Sequence, residues 1–361
     1  MTAPAVSLVL VAYRSSAVLP AAVDAFRREL QAGALRGEVI VVDHSEDERE
    51  AQRLAAATPD MLLRRPNRGY AAGINAGMQA ASGETALVGN PDVELGRGAL
   101  AALLAALRDG WAVAGPQLEL AGALFPPAET QTPLAEWRRQ RALRGPRAWR
   151  RHLRGQLRTW SALWQAREPQ RVETLSGALL AFPAALAQRV GPWDEEYFLY
   201  FEETDWLRRV HRAGGRLAVV PAARATHRWG HAAEPQAFAD RFAASQRRYY
   251  RRWFPLLSPM MLGMAAPLPP APLPWSQAPA GEEWRWLLSP SPRGFPAALL
   301  PADRPPRAAA AELCAASGRG AATLIAWRPA DDALAGPFHW SRGDDGAATI
   351  RAAGGSPSLP G

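Results

Sequence analysis

Residues 6–43 read VSLVLVAYRSSAVLPAAVDAFRRELQAGALRGEVIVVD, and this stretch decides the fold. Val6–Tyr13 is an almost continuous apolar run, which predicts a buried strand. A helix is expected next, because Pro20 stands in its first turn and apolar side chains then recur on one face. Glu38–Asp43 predicts a second buried strand that ends on an acid. Buried strands separated by a helix are typical of a parallel sheet.

The same alternation of strand and helix continues beyond this stretch. The further predicted elements are a strand, a helix, a strand, a helix and a strand, at Met61–Leu63, Gly69–Ala81, Thr85–Asn90, Ala99–Arg108 and Trp111–Pro116. We therefore predict the α/β class, with a mostly parallel sheet flanked by helices. Ligands of such sheets bind at the carboxyl ends of the strands, where Asp43 and Asp92 lie.

An acid-rich segment follows in the second half of the chain, GPWDEEYFLYFEETDW at residues 191–206. Asp194, Glu202, Glu203 and Asp205 are interleaved there with aromatic residues. Placing carboxylates among rings is costly, because a desolvated acid must find a partner or shift its pKa. Enzymes use such surroundings to make a general base, so the segment indicates a catalytic site.

Composition limits the cellular setting. The chain has 361 residues, 48% of them hydrophobic, a formal net charge of +8 and no lysine, so all 42 basic residues are arginine. A basic excess favours anionic partners such as nucleotide phosphates or an acidic membrane surface, although arginine-only usage also reflects coding bias. The single cysteine, Cys314, excludes an intrachain disulfide, and the apolar start lacks a charged leader. We expect a cytoplasmic protein, peripheral on the inner face of the plasma membrane.

Two segments differ from the rest in composition. We predict a domain over residues 1–254 with a basic Trp/Arg insertion at about 136–168, then a Pro/Ala/Gly-rich extension over 255–361. The insertion is either a surface for an anionic membrane, a solvated basic helix, or a mobile loop over a binding site. The extension is either a low-complexity linker or a small accessory module with two strands.

Several ordered motifs carry a family resemblance. They are VSLVLVAYRS, EVIVVDHSED, PNRGYAAGINAG, VGNPDV, the acid-rich segment with its following LRRVHRAGG, and THRWGH. In this order they resemble glycosyltransferase family 2, especially its rhamnosyltransferase-like branch, whose fold is GT-A. The resemblance implies an inverting enzyme that uses a UDP- or dTDP-sugar, with dTDP-rhamnose favoured. The implied acceptor is a hydroxyl of a cell-surface polysaccharide or a polyprenyl-linked glycan.

The resemblance also implies residues for the nucleotide. A ring at Tyr13 can stack on the base, and Asp43 matches the acid that accepts from the N3–H of uracil or thymine. The other implied nucleotide-binding positions are Asn67, Arg68, Gly69, Asn75 and Asn90. Of these, Arg68 can reach a phosphate.

A divalent cation, Mg²⁺ or Mn²⁺, is implied as the cofactor. Asn90-Pro91-Asp92 stands where the family has its D-x-D motif, so Asp92 is the implied oxygen ligand. His227 matches the position of a metal-binding histidine, and His231 competes with it for that role. Asn90 replaces the first acid of the motif, which removes one ligand charge.

The resemblance assigns the acceptor side of the site to the acid-rich segment and the SGA run. Glu203 matches the catalytic base, which takes the proton of the acceptor hydroxyl. Glu202 and Asp205 orient the acceptor or hold the start of a helix, where acids are favoured in any case. Ser176 and Gly177 resemble the run that lines the acceptor.

Three other interpretations of the sequence compete with this one. A nucleotide-dependent oxidoreductase lacks the expected G-x-G-x-x-G after the first strand. An arginine-rich nucleic-acid-binding protein would leave the acid cluster without a purpose and shows no known RNA-binding signature, so nucleic acid is not an expected partner. A catalytically inactive nucleotide-sugar-binding protein stays open.

Overall fold

The computed structural model describes residues 5–120, 122–228, 235–259, 271–317, 320–342 and 348–349. Their contacts divide the chain into two compact units. The first comprises Met1–Leu118, Pro127–Pro133 and Gln165–Leu262, and the second comprises Glu119–Pro126, Leu134–Trp164 and Gly263–Gly361. None of the helices in the described ranges combines the length and the apolar character needed to cross a membrane.

The strands and helices alternate through most of the chain. The strands are β1 Val6–Ala12, β2 Gly37–Asp43, β3 Met61–Arg64, β4 Thr85–Gly89, β5 Val93–Leu95, β6 Val113–Leu120, β7 Ala123–Leu124, β8 Gln170–Val172, β9 Leu179–Pro183, β10 Leu217–His227, β11 Arg285–Ser289, β12 Ala298–Leu299, β13 Ala321–Arg328, β14 Ala333–Arg342 and β15 Ala348–Thr349. The helices are α1 Leu19–Ala32, α2 Glu48–Ala55, α3 Tyr70–Ala80, α4 Ala99–Arg108, α5 Pro133–Ala142, α6 Pro146–Gln165, α7 Ala184–Val190, α8 Glu202–Arg212, α9 Pro235–Trp253 and α10 Pro306–Ser317.

Four parallel strands form the centre of the first unit, in the order β3-β2-β1-β4. Ala12 pairs with Asp43, and Leu10 with Gly89, so β1, β2 and β4 end near one another. Strands β9 and β6 extend the sheet with antiparallel pairing, and β10 pairs with β5 and β8. The α/β prediction is therefore confirmed, with antiparallel strands added on one side.

The core of the first unit includes an aromatic cluster under the acid-rich segment. The rings of Trp193 and Trp206 stack with centroids 4.3 Å apart, and Phe182 packs against Trp206 at 4.9 Å. All three are almost fully buried. Large aromatic side chains dominate core energetics, so this cluster fixes the start of α8 against β9.

Two strands position functional candidates at one sheet edge. Strand β10 continues to His227, because its last residues pair with β5. Strand β9 begins at Leu179, directly after a turn at Gly177 and Ala178. The N–H of Asn90, at the end of β4, donates to the carbonyl of Ala178 at 2.9 Å.

The second unit contains the basic segment and the Pro-rich extension. Strands β13 and β14 pair antiparallel, and β11 joins β13 and β12. Trp149, Trp160 and Trp164 of α6 are buried in one cluster with Ile325 and Trp327 of β13. The extension is thus a small folded module in its described part, rather than a low-complexity linker.

Most tryptophans of the basic segment are buried. A membrane surface is one of the roles that the sequence leaves open for this segment; in the structure three of its four tryptophans are core residues, and Trp137 is 39% exposed. The apolar side chains of α6 recur at helical spacing, which buries one face and leaves the arginines on the other. Contacts group Leu134–Trp164 with the second unit.

Candidate functional site

The ends of β1 and β2 place a ring beside a buried acid. Tyr13 is 49% exposed directly after β1, whereas Asp43 is buried at the end of β2. Asp43 Oδ1 accepts a hydrogen bond from the N–H of Ser45 at 2.8 Å. Arg14 has a φ of 51° and its guanidinium lies over the Tyr13 ring, 5.4 Å from the centroid. An exposed ring beside an acid is a suitable place for a nucleobase.

A tight turn before α3 depends on Gly69. Its φ is +100°, and a Cβ built there would lie 2.4 Å from the carbonyl oxygen of Phe198, so only glycine fits. Asn67 Oδ1 accepts from the Gly69 N–H, and Arg68 pairs with Glu195 at 3.2 Å. The Tyr70 N–H donates to the Phe198 carbonyl at 2.8 Å. The turn thus joins α3 to the acid-rich segment.

Asn75 lies deeper on α3 and forms a clamp. Its Nδ2 donates to the carbonyl of Trp193 at 2.9 Å, and its Oδ1 accepts from the Trp193 N–H at 2.9 Å. Nδ2 also donates to Glu195 at 3.0 Å. Both ends of this buried amide are therefore engaged by protein groups. Asn75 holds the acid-rich segment in place, and its role with a nucleotide stays a prediction.

Asp92 and His227 lie together at the junction of β5 and β10. His227 Nε2 is 3.3 Å from Asp92 Oδ1, and Asn90 Nδ2 is 3.4 Å from the same ring nitrogen. Both Asp92 and His227 are buried. Strand pairing explains the approach, because His227 is the partner of Val93, the residue after Asp92. His231 lies outside the described residues.

These side chains fit a divalent cation in part. One carboxylate and one imidazole are suitable ligands for Mn²⁺ or Mg²⁺. In the described ranges no group of three or more His, Cys, Asp or Glu side chains is close enough to hold a metal. The protein would therefore supply two ligands and leave the other positions to a diphosphate and water, which is common for Mg²⁺ sites in enzymes that act on phosphates.

Two left-handed residues open α8. Tyr200 and Phe201 have φ values of 69° and 68°, which are strained for residues with side chains. Ring packing holds them, since Phe201 lies 5.3 Å from Tyr249 and 5.2 Å from Phe242. Such strain costs on the order of 1–3 kcal/mol per residue and is typical of functional sites. The left-handed backbone at these two residues turns the chain so that the first turn of α8 faces the protein interior.

Glu202 and Glu203 begin that turn and form the carboxylate pair, in which Glu202 is buried and Glu203 is half-buried. Their Oε2 atoms are inaccessible to solvent and accept no hydrogen bond from the described part of the chain. The hydroxyl and N–H of Thr204 donate to Glu203. Burial raises the pKa of both groups, and the charge of Glu203 raises the pKa of Glu202 further. An acid with a raised pKa is suited to exchange protons near neutral pH.

The SGA run links Tyr70 to the carboxylate pair. The Tyr70 hydroxyl lies 3.5 Å from the Gly177 carbonyl oxygen, and Gly177 packs against the methylenes of Glu203, where a Cβ would be 3.0 Å from Cγ. Burial raises the pKa of the Tyr70 hydroxyl well above its usual value, and the charges of Glu202, Glu203 and Asp92 raise it further. Tyr70 therefore lies in a negatively charged part of the site and stays protonated.

A known protein family matches most of the chain. The family model described as glycosyltransferase like family 2 matches residues 4–253. The chain belongs to glycosyltransferase family 2. Membership confirms the resemblance and the expected GT-A class, and the match includes every candidate site residue that the structure describes.

Relatives of this family 2 member are known from other organisms. It is 33% identical over 153 residues to N-acetylglucosaminyl-diphospho-decaprenol L-rhamnosyltransferase of two Mycobacterium tuberculosis strains, CDC 1551 and H37Rv. The alignment covers 40% of this chain and 47% of that enzyme, so the chain spans about half the length of the curated relatives it matches.

Solved structures of low sequence identity are also similar. The mannosyltransferase PcManGT of Pyrobaculum calidifontis, solved with GDP-Man and Mn²⁺, is 16% identical with a TM-score of 0.47; the match covers 72% of this chain and 69% of PcManGT. TarS 1–349 of S. aureus is 13% identical with a TM-score of 0.43, over 70% of this chain and 73% of TarS.

Asp205 is held by side chains of two helices. Of its two predicted roles, orienting the acceptor and holding the start of α8, its contacts favour the second. It is fully buried, pairs with Arg209 at 3.0 Å and Arg252 at 3.3 Å, and accepts from Trp253 Nε1 at 2.8 Å. Its oxygens are therefore committed to α8 and α9. Ser176 is likewise used locally, since its Oγ accepts from the Ala178 N–H.

We expect Asp205→Ala to destabilise the fold. Removing one partner of a buried ion pair leaves uncompensated charge and costs about 3–5 kcal/mol. Urea unfolding measures the free energy, and Glu196→Ala is the control, because the Glu196 side chain is 74% exposed and should change stability by less than about 0.5 kcal/mol. A fully stable Asp205→Ala protein with slow transfer would restore the acceptor role.

The carboxylate pair should make stability depend on pH. Both acids have a raised pKa in the folded state, so their contribution to stability is complete below the ordinary pKa of 4.5 and is lost as pH rises through the raised pKa. We expect Glu202→Gln to raise Tm at neutral pH and to change it little near about pH 4. Thermal unfolding against pH checks this. A lower Tm at neutral pH in the variant would contradict it.

Tyr70 was missing from the predicted site. It stands inside the quoted PNRGYAAGINAG motif, directly after the glycine of the turn, but its sequence neighbours do not reveal its hydroxyl partners. The hydroxyl lies against the Gly177 carbonyl, 107 residues further along the chain, an approach that exists only in the folded protein. The position of a polar aromatic residue at the first turn of α3 was the available signal.

Proposed function

We propose that the chain transfers a sugar from a nucleoside diphosphate to a hydroxyl group of a glycan or lipid-linked acceptor, with inversion at the anomeric carbon. The observation that carries the proposal is the contact of Asp92 with His227, 3.3 Å between Oδ1 and Nε2, beside Asn90, whose N–H donates to the Ala178 carbonyl. Gly177, the residue before Ala178, packs against Glu203, so the candidate metal ligands and the candidate base lie on either side of one turn. Family membership supports the same reaction class.

The donor is proposed to lie along the ends of β1, β2 and β4. Tyr13 would stack on a uracil or thymine base, and Asp43 would accept from its N3–H. Asn67, Arg68 and Gly69 form the adjoining turn. Arg68 would have to exchange its partner Glu195 for a phosphate, which its 72% exposed side chain permits. Asn90 lies next to Asp92 at the diphosphate end of this path.

Asp92 and His227 would hold the cation beside the diphosphate. When bound, Mg²⁺ or Mn²⁺ supplies charge stabilisation to the departing nucleoside diphosphate, worth several kcal/mol. Asp92 would contribute a carboxylate oxygen and His227 its Nε2. Asn90 Nδ2 is 3.4 Å from that nitrogen and would give up this contact when a cation takes it.

Glu203 is proposed as the general base. Its carboxylate accepts the proton of the acceptor hydroxyl while the hydroxyl oxygen forms a bond to the anomeric carbon. The bond between that carbon and the diphosphate oxygen breaks with its electron pair on the leaving group. Burial raises the pKa of Glu202, so this acid stays protonated at a higher pH than an ordinary carboxyl group. It therefore adds little negative charge beside Glu203. Gly177 leaves room for the Glu203 side chain.

The proposed donor and acceptor are chosen from the name of a relative. The name of the Mycobacterium tuberculosis relative describes rhamnosyl transfer to a diphospho-decaprenol-linked sugar. We propose dTDP-rhamnose as the first donor to test and a polyprenyl-diphosphate-linked sugar as the acceptor class.

The test is a transfer assay with separate readouts for binding and reaction. Purified protein, Mn²⁺, each UDP- or dTDP-sugar and a short-chain polyprenyl-diphosphate-linked acceptor should release nucleoside diphosphate and lengthen the acceptor. Donor binding without release of diphosphate, with every acceptor supplied, would instead show a nucleotide-sugar-binding protein without transfer.

A further inference from the structure

The carboxyl end of α9 carries a surface that the proposed reaction does not use. Arg247 and Arg251 are exposed on the helix, and Leu256 and Leu257 follow it with exposures of 93% and 45%. We call these four residues the α9 surface. All four belong to the first unit, which also contains the candidate active site.

The arginines of this helix divide into two pairs. Arg248 and Arg252 hold Asp194 at 2.8 and 2.6 Å, so their charges are compensated within the unit. Arg247 and Arg251 make no ion pair with any residue in the described ranges. All four arginines line a cleft of about 580 Å³. The α9 surface therefore presents net positive charge to whatever lies against it.

The two leucines that follow this helix in the chain are unusual for a solvent-facing surface. A leucine gains on the order of 1.5–3 kcal/mol when it leaves water, and an exposed apolar pair directly after a basic helix is typical of membrane-interface segments. The sequence from Phe254 to Gly281 contains no charged residue, which extends the apolar character beyond the leucines.

The α9 surface is close to the proposed base. Trp253 Nε1 donates to Asp205 at 2.8 Å, and Asp205 lies in the first turn of α8 with Glu203. The rings of Phe201 and Tyr249 are 5.3 Å apart, and Ser245 Oγ donates to the Leu199 carbonyl. The carboxyl half of α9 thus packs directly on the segment that carries the carboxylate pair.

We propose that the α9 surface docks onto an anionic lipid bilayer. Leu256 and Leu257 enter the boundary between headgroups and acyl chains, while Arg247 and Arg251 contact lipid phosphates. Projecting leucines favour lipid over nucleic acid, whose backbone offers them no apolar partner. The proposal rests on the proposed function in one respect, namely that docking here would bring α8 near a lipid-linked acceptor.

The experiment compares two basic surfaces in the full chain. Wild-type protein is sedimented with vesicles of phosphatidylcholine alone or with added phosphatidylglycerol. The variants are Arg247→Gln/Arg251→Gln and Leu256→Ser/Leu257→Ser. The matched control is Arg147→Gln/Arg151→Gln, which removes two exposed arginines from α6. Thermal unfolding verifies that every variant is folded.

We expect salt-sensitive binding that needs phosphatidylglycerol. Substitution of the two arginines should weaken vesicle binding about 30-fold, since each basic residue near an anionic surface contributes roughly fivefold. Substitution of the two leucines should weaken vesicle binding at least about tenfold. The α6 control should bind like wild type.

Wild-type binding by both α9 variants, or loss of binding in the α6 control, would overturn the proposal. Binding to single-stranded DNA that is lost in the arginine variant, without any vesicle binding, would overturn it in favour of nucleic acid. Glu203→Gln should bind vesicles normally. Vesicle binding without sugar transfer would therefore contradict the proposed function alone, and transfer to a soluble acceptor without vesicle binding would contradict this inference alone.

Discussion

Glu203→Gln should lower the rate of sugar transfer by about 10²- to 10⁴-fold, the usual contribution of a general base. Glutamine keeps the shape of the side chain against Gly177 but cannot accept the proton of the acceptor hydroxyl. Donor affinity should be unchanged, because the ends of β1, β2 and β4 are untouched. Tm should not fall, since a neutral amide replaces an acid whose charged form is disfavoured.

The measurement is kcat with saturating donor and acceptor, together with a donor Kd from titration. Glu196→Gln is the matched control, because it changes an exposed glutamate of the same segment. The activity of the wild type should fall towards low pH, because the carboxylate of Glu203 is then protonated and cannot accept the proton of the acceptor. Full activity in Glu203→Gln would remove this residue from the role of base, and Glu202→Gln would be tested next.

Asp92→Asn should have the second large effect, a loss of transfer on the order of 10²- to 10³-fold, in line with several kcal/mol of leaving-group stabilisation. The amide retains the volume of the carboxylate but not its charge beside His227. EDTA should abolish sugar transfer by the wild-type protein, and added Mn²⁺ should restore the activity. In Asp92→Asn much higher Mn²⁺ should be needed for any recovery.

Asp109→Asn serves as control for this variant, since Asp109 is an exposed acid at the end of α4. Turnover that is unchanged by EDTA would contradict a metal role for Asp92 and His227 together. A normal Mn²⁺ response in Asp92→Asn would contradict the role of Asp92 alone.

Local pattern was sufficient for most of the first unit. The strands at Val6 and Glu38 are short apolar runs with an acid or turn after them, and their pairing follows from the helix between them. Helix α4 begins and ends at the residues predicted, Ala99 and Arg108. The candidate residues at strand ends could be named because a parallel sheet brings its carboxyl ends together.

Tertiary contacts account for what the sequence did not reveal. Asp205 looks like its neighbours Glu202 and Glu203, and only the approach of Arg252 and Trp253 from α9 separates its role from theirs. Trp149 and Trp160 lie in a basic segment, but β13 covers them from a position far along the chain. Pairings at such sequence separation leave no periodic signal.

The central claim is that a cation held by Asp92 joins the diphosphate in a pocket whose base is Glu203. Thermal shifts with UDP or dTDP, each with and without Mn²⁺, test it in the wild type, Asp92→Asn and Glu203→Gln. We expect a Mn²⁺-dependent rise in Tm with nucleotide for the wild type and Glu203→Gln, and none for Asp92→Asn. An equal rise without Mn²⁺, or an undiminished rise in Asp92→Asn, would contradict the account.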